Sequence, residues 1–103
     1  MENIPKNIGD YKLPVDYTKL NGKERKKVRN QYVRLQYNKC MYCGGDLSID
    51  PPTRITDLLI DWSYFPPGFL NNPIQLQHDH SNGMTEGAVH AYCNAVLWQY
   101  LRR

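Results

Sequence analysis

The feature that most constrains this chain is a pair of metal-ligand spacings set far apart, Cys40-x-x-Cys43 near the middle and His90-x-x-Cys93 near the C-terminal end. Together they use all three cysteines. An odd count leaves one thiol over in any disulfide pairing, so metal ligation accounts for the set more completely. Three thiolates and an imidazole suit Zn²⁺ better than Mg²⁺ or Ca²⁺. Four protein ligands complete a tetrahedron and leave no position for water, which defines a structural ion. The competing readings are a redox pair at Cys-Met-Tyr-Cys, which lacks the surrounding strand–helix unit, and a free Cys-x-x-Cys with an unrelated buried Cys93 and a core His90.

A staple of this kind matches the length. A chain of 103 residues makes one domain, and at that size a core alone is thin. Structural zinc contributes roughly 10–16 kcal/mol in small folds. Seven Pro and seven Gly point to a loop-rich globule. No apolar run approaches the length of a membrane span, and the opening MENIPKNIGD lacks the order of a signal peptide. The expectation is a cytoplasmic protein with no membrane partner.

Residues 1–20 contain Pro5, Gly9 and Pro14 without a period and read as an extended arm; 21–103 read as the single folded domain. Asn21 is a plausible N-cap for a helix over 23–37, with Val28, Tyr32 and Leu35 as its apolar stripe. CMYCGGDL at 40–47 looks like a zinc knuckle. The Pro-punctuated stretch 50–73 reads as a long ordered loop, with a short strand near 60–62. In it Trp62, Tyr64, Phe65 and Phe69 read as anchors burying against the domain rather than base-stacking groups. Alternation predicts a strand over 74–80, Asn82-Gly83 a tight turn, and 85–89 a return strand in which Gly87 allows close backbone approach. The chain then reads as helix from 91 to 101, with Val96, Leu97 and Tyr100 on its apolar side. The result is an α+β domain ending in a ββα unit.

Charge is concentrated. Residues 19–39 carry Lys19, Lys23, Arg25, Lys26, Lys27, Arg29, Arg34 and Lys39 against Glu24 alone, although the whole chain is only +3. Such a segment is the footprint of a phosphate-binding face, or a solvated helix charged for solubility.

With His90 assigned to zinc, two histidines remain, both in Gln77-His78-Asp79-His80, and Asn94 directly follows the last zinc ligand. The zinc would bring Asn94 opposite the first hairpin strand. A neutral imidazole, a hard oxygen donor and a basic face are what metal-assisted phosphodiester cleavage requires. The plain alternatives are two exposed turn histidines and an Asn94 that caps the last helix.

These residues resemble the HNH (His-Me finger, ββα-metal) endonucleases, in particular the branch of phage recombination endonuclease VII. There a Cys-x-x-Cys precedes a hairpin with Asp-His-x-His and then Cys-x-x-Cys-Asn. The likeness covers 40–49 and 74–98, and the basic helix only loosely. It implies a small zinc-stapled ββα-metal domain with an N-terminal basic helix and long ordered loops. It implies Cys40, Cys43, His90 and Cys93 as structural zinc ligands, His90 replacing a cysteine. His78 matches the general base, Asn94 the metal-binding or hairpin-fixing asparagine, and His80 a further active-site histidine. Mg²⁺ or Mn²⁺ would be the catalytic ion and DNA the partner, in a bacterial or phage-infected cytoplasm. Lys23, Arg25, Lys26, Lys27, Arg29 and Arg34 would hold its phosphates.

The pattern departs from the family at Gln77, where Asp or His usually ligates the catalytic ion. Either Gln77 coordinates weakly, Asp79 or His80 compensates, the register shifts to Asp79-His80, or activity is reduced. The leading expectation is a metal-dependent HNH endonuclease that nicks DNA; double-strand cleavage would need a homodimer or two visits. The alternative is a non-catalytic, zinc-stabilised DNA-binding module derived from such a nuclease. A third reading, a knuckle for protein contacts, leaves the hairpin histidines without a role.

Overall fold

The computed structural model describes residues 9–101. The first eight residues of the sequence-defined arm, and Arg102 and Arg103, lie outside the described residues. The architecture is α+β: helix α1 (Gly22–Leu35), a one-turn helix α2 (Thr53–Thr56), strands β1 (Ile74–His78) and β2 (Thr85–His90), and helix α3 (Ala91–Leu101). The strands form a two-stranded antiparallel sheet on which both α1 and α3 pack.

Helix α1 starts where local chemistry dictates. The Asn21 carboxamide accepts the Glu24 amide at 2.8 Å while the Glu24 carboxylate accepts the Asn21 amide at 3.0 Å, a reciprocal capping box. It ends at Leu35, two residues before the sequence expectation, because Tyr37 and Asn38 take left-handed backbone (φ 53° and 60°) and fold the chain back. Its buried side is Val28, Gln31 and Tyr32. Gln36, just past the helix, substitutes for a strand neighbour: its oxygen accepts the Ala88 amide at 2.8 Å and its nitrogen donates to the Ala88 carbonyl at 2.9 Å. That approach needs a glycine next door, since a Cβ on Gly87 would stand 2.7 Å from the Gln36 oxygen and 2.8 Å from the Met41 sulfur.

Residues 9–20 pack against the domain through bends and a 3₁₀ turn at Tyr17–Lys19. Tyr11 and the Gln31 carboxamide exchange two hydrogen bonds of 2.8 and 2.7 Å. Val15 donates to the Thr85 hydroxyl and accepts the Thr85 amide, and Tyr17 donates to the Gly83 carbonyl. Leu13 and Leu20 join a core built from Val28, Tyr32, Leu47, Ile55, Ala88, Val89, Cys93, Val96 and Leu97. Five of the six β2 positions are buried, so both faces of that strand are covered.

Several local expectations change. β1 stops at His78 instead of 80, because a bulge lies between Gln77 and His78 and six residues, 79–84, form the hairpin loop. Near 60–62 there is no strand; Trp62–Tyr64 is a 3₁₀ turn capped by the Asp61 carboxylate. Tyr100 is 49% exposed, its hydroxyl bonded to the Leu59 carbonyl, so Ala91, Cys93 and Ala95 rather than Tyr100 join Val96 and Leu97 inside. The loop aromatics do anchor on α3: Trp62 meets Tyr92 edge-on at 5.1 Å and Phe65 meets Trp98 at 5.5 Å, but they remain partly or largely exposed.

The packing of residues 9–20 makes a test. Leu13→Ala, which opens space in a closed core, is expected to lower unfolding free energy by about 2–3 kcal/mol in urea titration; a chain with a detached N-terminal segment would show no change.

Candidate metal centre and adjoining cleft

Two parts of the chain, the 40–47 knuckle and the junction of β2 with α3, meet at Cys40, Cys43, His90 and Cys93. Cys40 and Cys43 come from the knuckle, which closes through Cys40 N–H to Gly45 O (2.8 Å) and Gly44 N–H to Cys40 O (3.0 Å), with Gly44 at φ 78°. His90 is the last residue of β2 and Cys93 lies in the first turn of α3. Their ligand atoms all lie within 4.8 Å of one another. Zinc–sulfur bonds of about 2.3 Å set tetrahedral sulfurs about 3.8 Å apart, so only a small contraction separates this cluster from a zinc shell.

The surroundings orient the donors. His90 Nε2 lies 2.8 and 2.9 Å from the Asp46 and Ile49 carbonyls, which can only accept. The proton is therefore on Nε2, and Nδ1 turns its lone pair toward Cys43 Sγ at 3.4 Å and Cys93 Sγ at 3.7 Å. Backbone N–H groups of Cys43 and Gly45 point at Cys40 Sγ and Cys43 Sγ. The Cys93 thiol is driven above its ordinary range, first by its hydrogen bond with Cys40, then by burial and the neighbouring sulfurs. The same bond holds Cys40 down to about 4. Both shifts express one fact: packed sulfurs compete for ionisation until a cation neutralises them. The cluster could hold a zinc ion, and among the described residues no other group of three or more His, Cys, Asp or Glu is so gathered.

On the sheet nearby lies a cleft of about 300 Å³ lined by Gln77, His78, His80 and Asn94 together with Arg25, Lys26 and Arg29 of α1. The helix supplies the last three because positions i, i+1 and i+4 share one face. Lys23, Lys27 and Arg34 do not line it, and Arg34 pairs with Asp10 at 2.8 Å. Asp79 does not line it either; its carboxylate accepts the Ser81 amide and hydroxyl inside the hairpin loop.

Within the cleft, His78 stacks with two rings. The Tyr17 ring lies parallel to it at 3.9 Å, and the His80 ring at 4.5 Å. Arg25 sits 3.9 Å over the Tyr17 ring and donates to the Tyr17 carbonyl. Burial, then His80, then Arg25 hold His78 below the ordinary histidine value of 6.5. Gln77 is 2% exposed, its amide nitrogen donating to His78 O at 2.9 Å and to the Glu86 carboxylate at 3.4 Å across the bulge. Asn94 stands in the first turn of α3 and donates to the Gln75 side-chain oxygen at 2.8 Å, so it does not cap that helix. Among the lining residues that sequence reasoning does not single out are Gln75 and Tyr17. Gln75 was detectable, since alternation places it on one strand face with Gln77. Tyr17 was not, because 61 positions of chain separate it from His78 and no periodicity links them.

The cleft lining contains amide oxygens and two imidazoles but no carboxylate. Mg²⁺ or Mn²⁺ is usually anchored by one or two carboxylates, so these residues alone do not fit a protein-held catalytic ion of that kind.

Fold and site thus define a small α+β protein with a Cys₃His cluster suited to a metal such as zinc. No protein family, no curated protein and no solved structure matches this chain. No helix among the described residues is long and apolar enough to cross a membrane.

The purified chain is expected to carry a zinc ion, read by elemental analysis. Cys93→Ser should weaken zinc binding by more than about 100-fold, beyond the loss of an outer-shell partner, and should remove cooperative thermal unfolding by circular dichroism. An unchanged melt and an undiminished zinc content would exclude the assignment.

Proposed function

We propose that this chain is an HNH-type (His-Me finger) endonuclease that hydrolyses DNA phosphodiester bonds, with structural zinc in the Cys40–Cys43–His90–Cys93 cluster. The observation that carries the reading is the single cleft shared by His78, His80 and Asn94 with Arg25, Lys26 and Arg29. Imidazoles beside guanidinium and ammonium groups are the equipment for moving a proton next to a phosphate. In the proposed step the neutral imidazole of His78 takes a proton from water. The water oxygen bonds to phosphorus as the bond to the departing sugar oxygen breaks, and that oxygen takes a proton from solvent. Arg25, Lys26 and Arg29 hold the phosphate and offset its charge; His80 and Tyr17 hold the His78 ring. The family resemblance implies a divalent ion that Asn94 would help to hold. For such an ion the hard anionic donors must come from the substrate phosphate, since the lining supplies none.

The missing carboxylate also favours a second reading, a zinc-stabilised DNA-binding module without cleavage. The two part on supercoiled plasmid assayed with Mg²⁺, Mn²⁺ and Ni²⁺. The nuclease reading expects relaxed circles, with His78→Ala slower by about 100-fold or more. Salt-dependent binding with no nicking under any ion would establish the module, and equal nicking by the two proteins would remove His78 from the base role.

The pH profile gives an independent check. A base must be deprotonated, so kcat/KM rises with pH through the pKa of the free enzyme's base. Since His78 is held below 6.5, the acid limb is expected below that value. Tyr17→Ala, which re-solvates the ring, should move the limb upward; a limb that stays in place assigns it to another group.

A further inference from the structure

Beside the cleft lies a second cavity of about 210 Å³, lined by Tyr64, Phe65, Phe69, Trp98, His80 and Asn94. It shares Phe69, His80 and Asn94 with the basic cleft, so the two adjoin. Its aromatic rings are not stacked on one another: Tyr64 and Trp98 are tilted by 47° at 5.6 Å, Phe65 and Phe69 by 44° at 4.8 Å, and Phe65 meets Trp98 at 70°. Ring faces are therefore left to meet something else, and Tyr64 is 63% exposed. A closed cavity of about 150 Å³ already accepts a benzene ring.

We infer that this aromatic alcove binds one nucleobase of a single-stranded DNA segment whose backbone lies along Arg25, Lys26 and Arg29. The inference rests on the proposed placement of a DNA strand in the cleft. The occupant follows from adjacency and charge: cations hold phosphates on one side, and apolar rings wait on the other, with the Asn94 carboxamide and the His80 imidazole shared between the two. Bases stack on such rings irrespective of identity. A base inside a duplex reaches a lateral alcove only after leaving its stack, which costs a few kcal/mol, whereas a single-stranded base is already free to enter. Charge alone gives the opposite order, because duplex DNA releases more counterions per phosphate contact. Preference for single strands is thus a signature of the alcove.

The test uses the zinc-loaded full chain and fluorescence anisotropy on one labelled oligonucleotide, alone and annealed to its complement. The single strand is expected to bind more tightly by at least about fivefold, the lower end of what one stacked base contributes. Tyr64→Ala should bring the ratio of the two affinities toward one, and Tyr64→Phe, which keeps the ring, should retain it. In a Trp62→Phe background, the single strand should quench Trp98 fluorescence. Equal affinities for the two DNA forms, or a ratio unaltered by Tyr64→Ala, overturn the alcove while plasmid nicking leaves the nuclease reading intact. A Tyr64-dependent ratio without nicking does the reverse. Failure to bind either DNA overturns both.

Discussion

Closing the 40–47 knuckle onto the junction of β2 and α3 is the constraint on which the rest of this structure depends. The four donors come from segments separated by almost fifty residues of sequence, and the chain between Cys43 and Ile74 contains only one helical turn of α structure. Hydrogen bonds alone hold such a loop poorly, since each contributes about 1 kcal/mol net. An ion held there would act on the knuckle and the β2–α3 junction together and would couple folding to ligation. The same closure fixes α3 at its first turn, and so fixes Asn94, one residue beyond Cys93, over the first hairpin strand. Structural and proposed functional residues are therefore neighbours along the chain for a mechanical reason: the side chain nearest the clamp is the one positioned most tightly.

The basic segment divides into two populations once folded. Arg25, Lys26 and Arg29 turn toward the hairpin, whereas Lys23, Lys27 and Arg34 project elsewhere. Helical geometry makes that division unavoidable, because cations at positions 23, 25, 26, 27, 29 and 34 must point all round the helix. Arg25 is further set apart by its carbonyl and ring contacts with Tyr17. Those contacts bind the N-terminal segment to the cleft: Leu13 and Leu20 anchor the segment in the core, and Tyr17 between them covers His78. Desolvation of an imidazole by a neighbouring ring keeps it neutral, so a packing contact has an electrostatic consequence.

What the sequence made legible follows from where the information is local. The N-cap at Asn21, the alternation over β1 and the two Cys/His spacings each reside within a few residues, and each maps onto an observed element. The bulge at Gln77/His78 was not legible, because it depends on Glu86 being surplus on the partner strand. Residues 50–73 were the least readable: their order comes from contacts to α3, such as Trp62 on Tyr92 and Phe65 on Trp98, and from Gln99 bonds to residues 59 and 61. The composition of that loop announced anchors and nothing about what lies between them. In the folded chain the anchoring rings meet at angles, and the angles leave an alcove.

The amide at position 77 connects these strands of argument. A carboxylate there would face burial at 2% exposure and stand across the bulge from Glu86, a like-charge pair in a poorly solvated place. Glutamine removes that repulsion and adds an N–H that holds the bulge through the His78 carbonyl. Position 77 in this chain thus shapes the strand end that aims His78, a steric and hydrogen-bonding task. Anionic donors are then missing from the cleft on the protein side, while the cations of α1 remain. The complement we propose for such a cleft is a polyanion that brings its own oxygens, and a phosphodiester backbone has that chemistry.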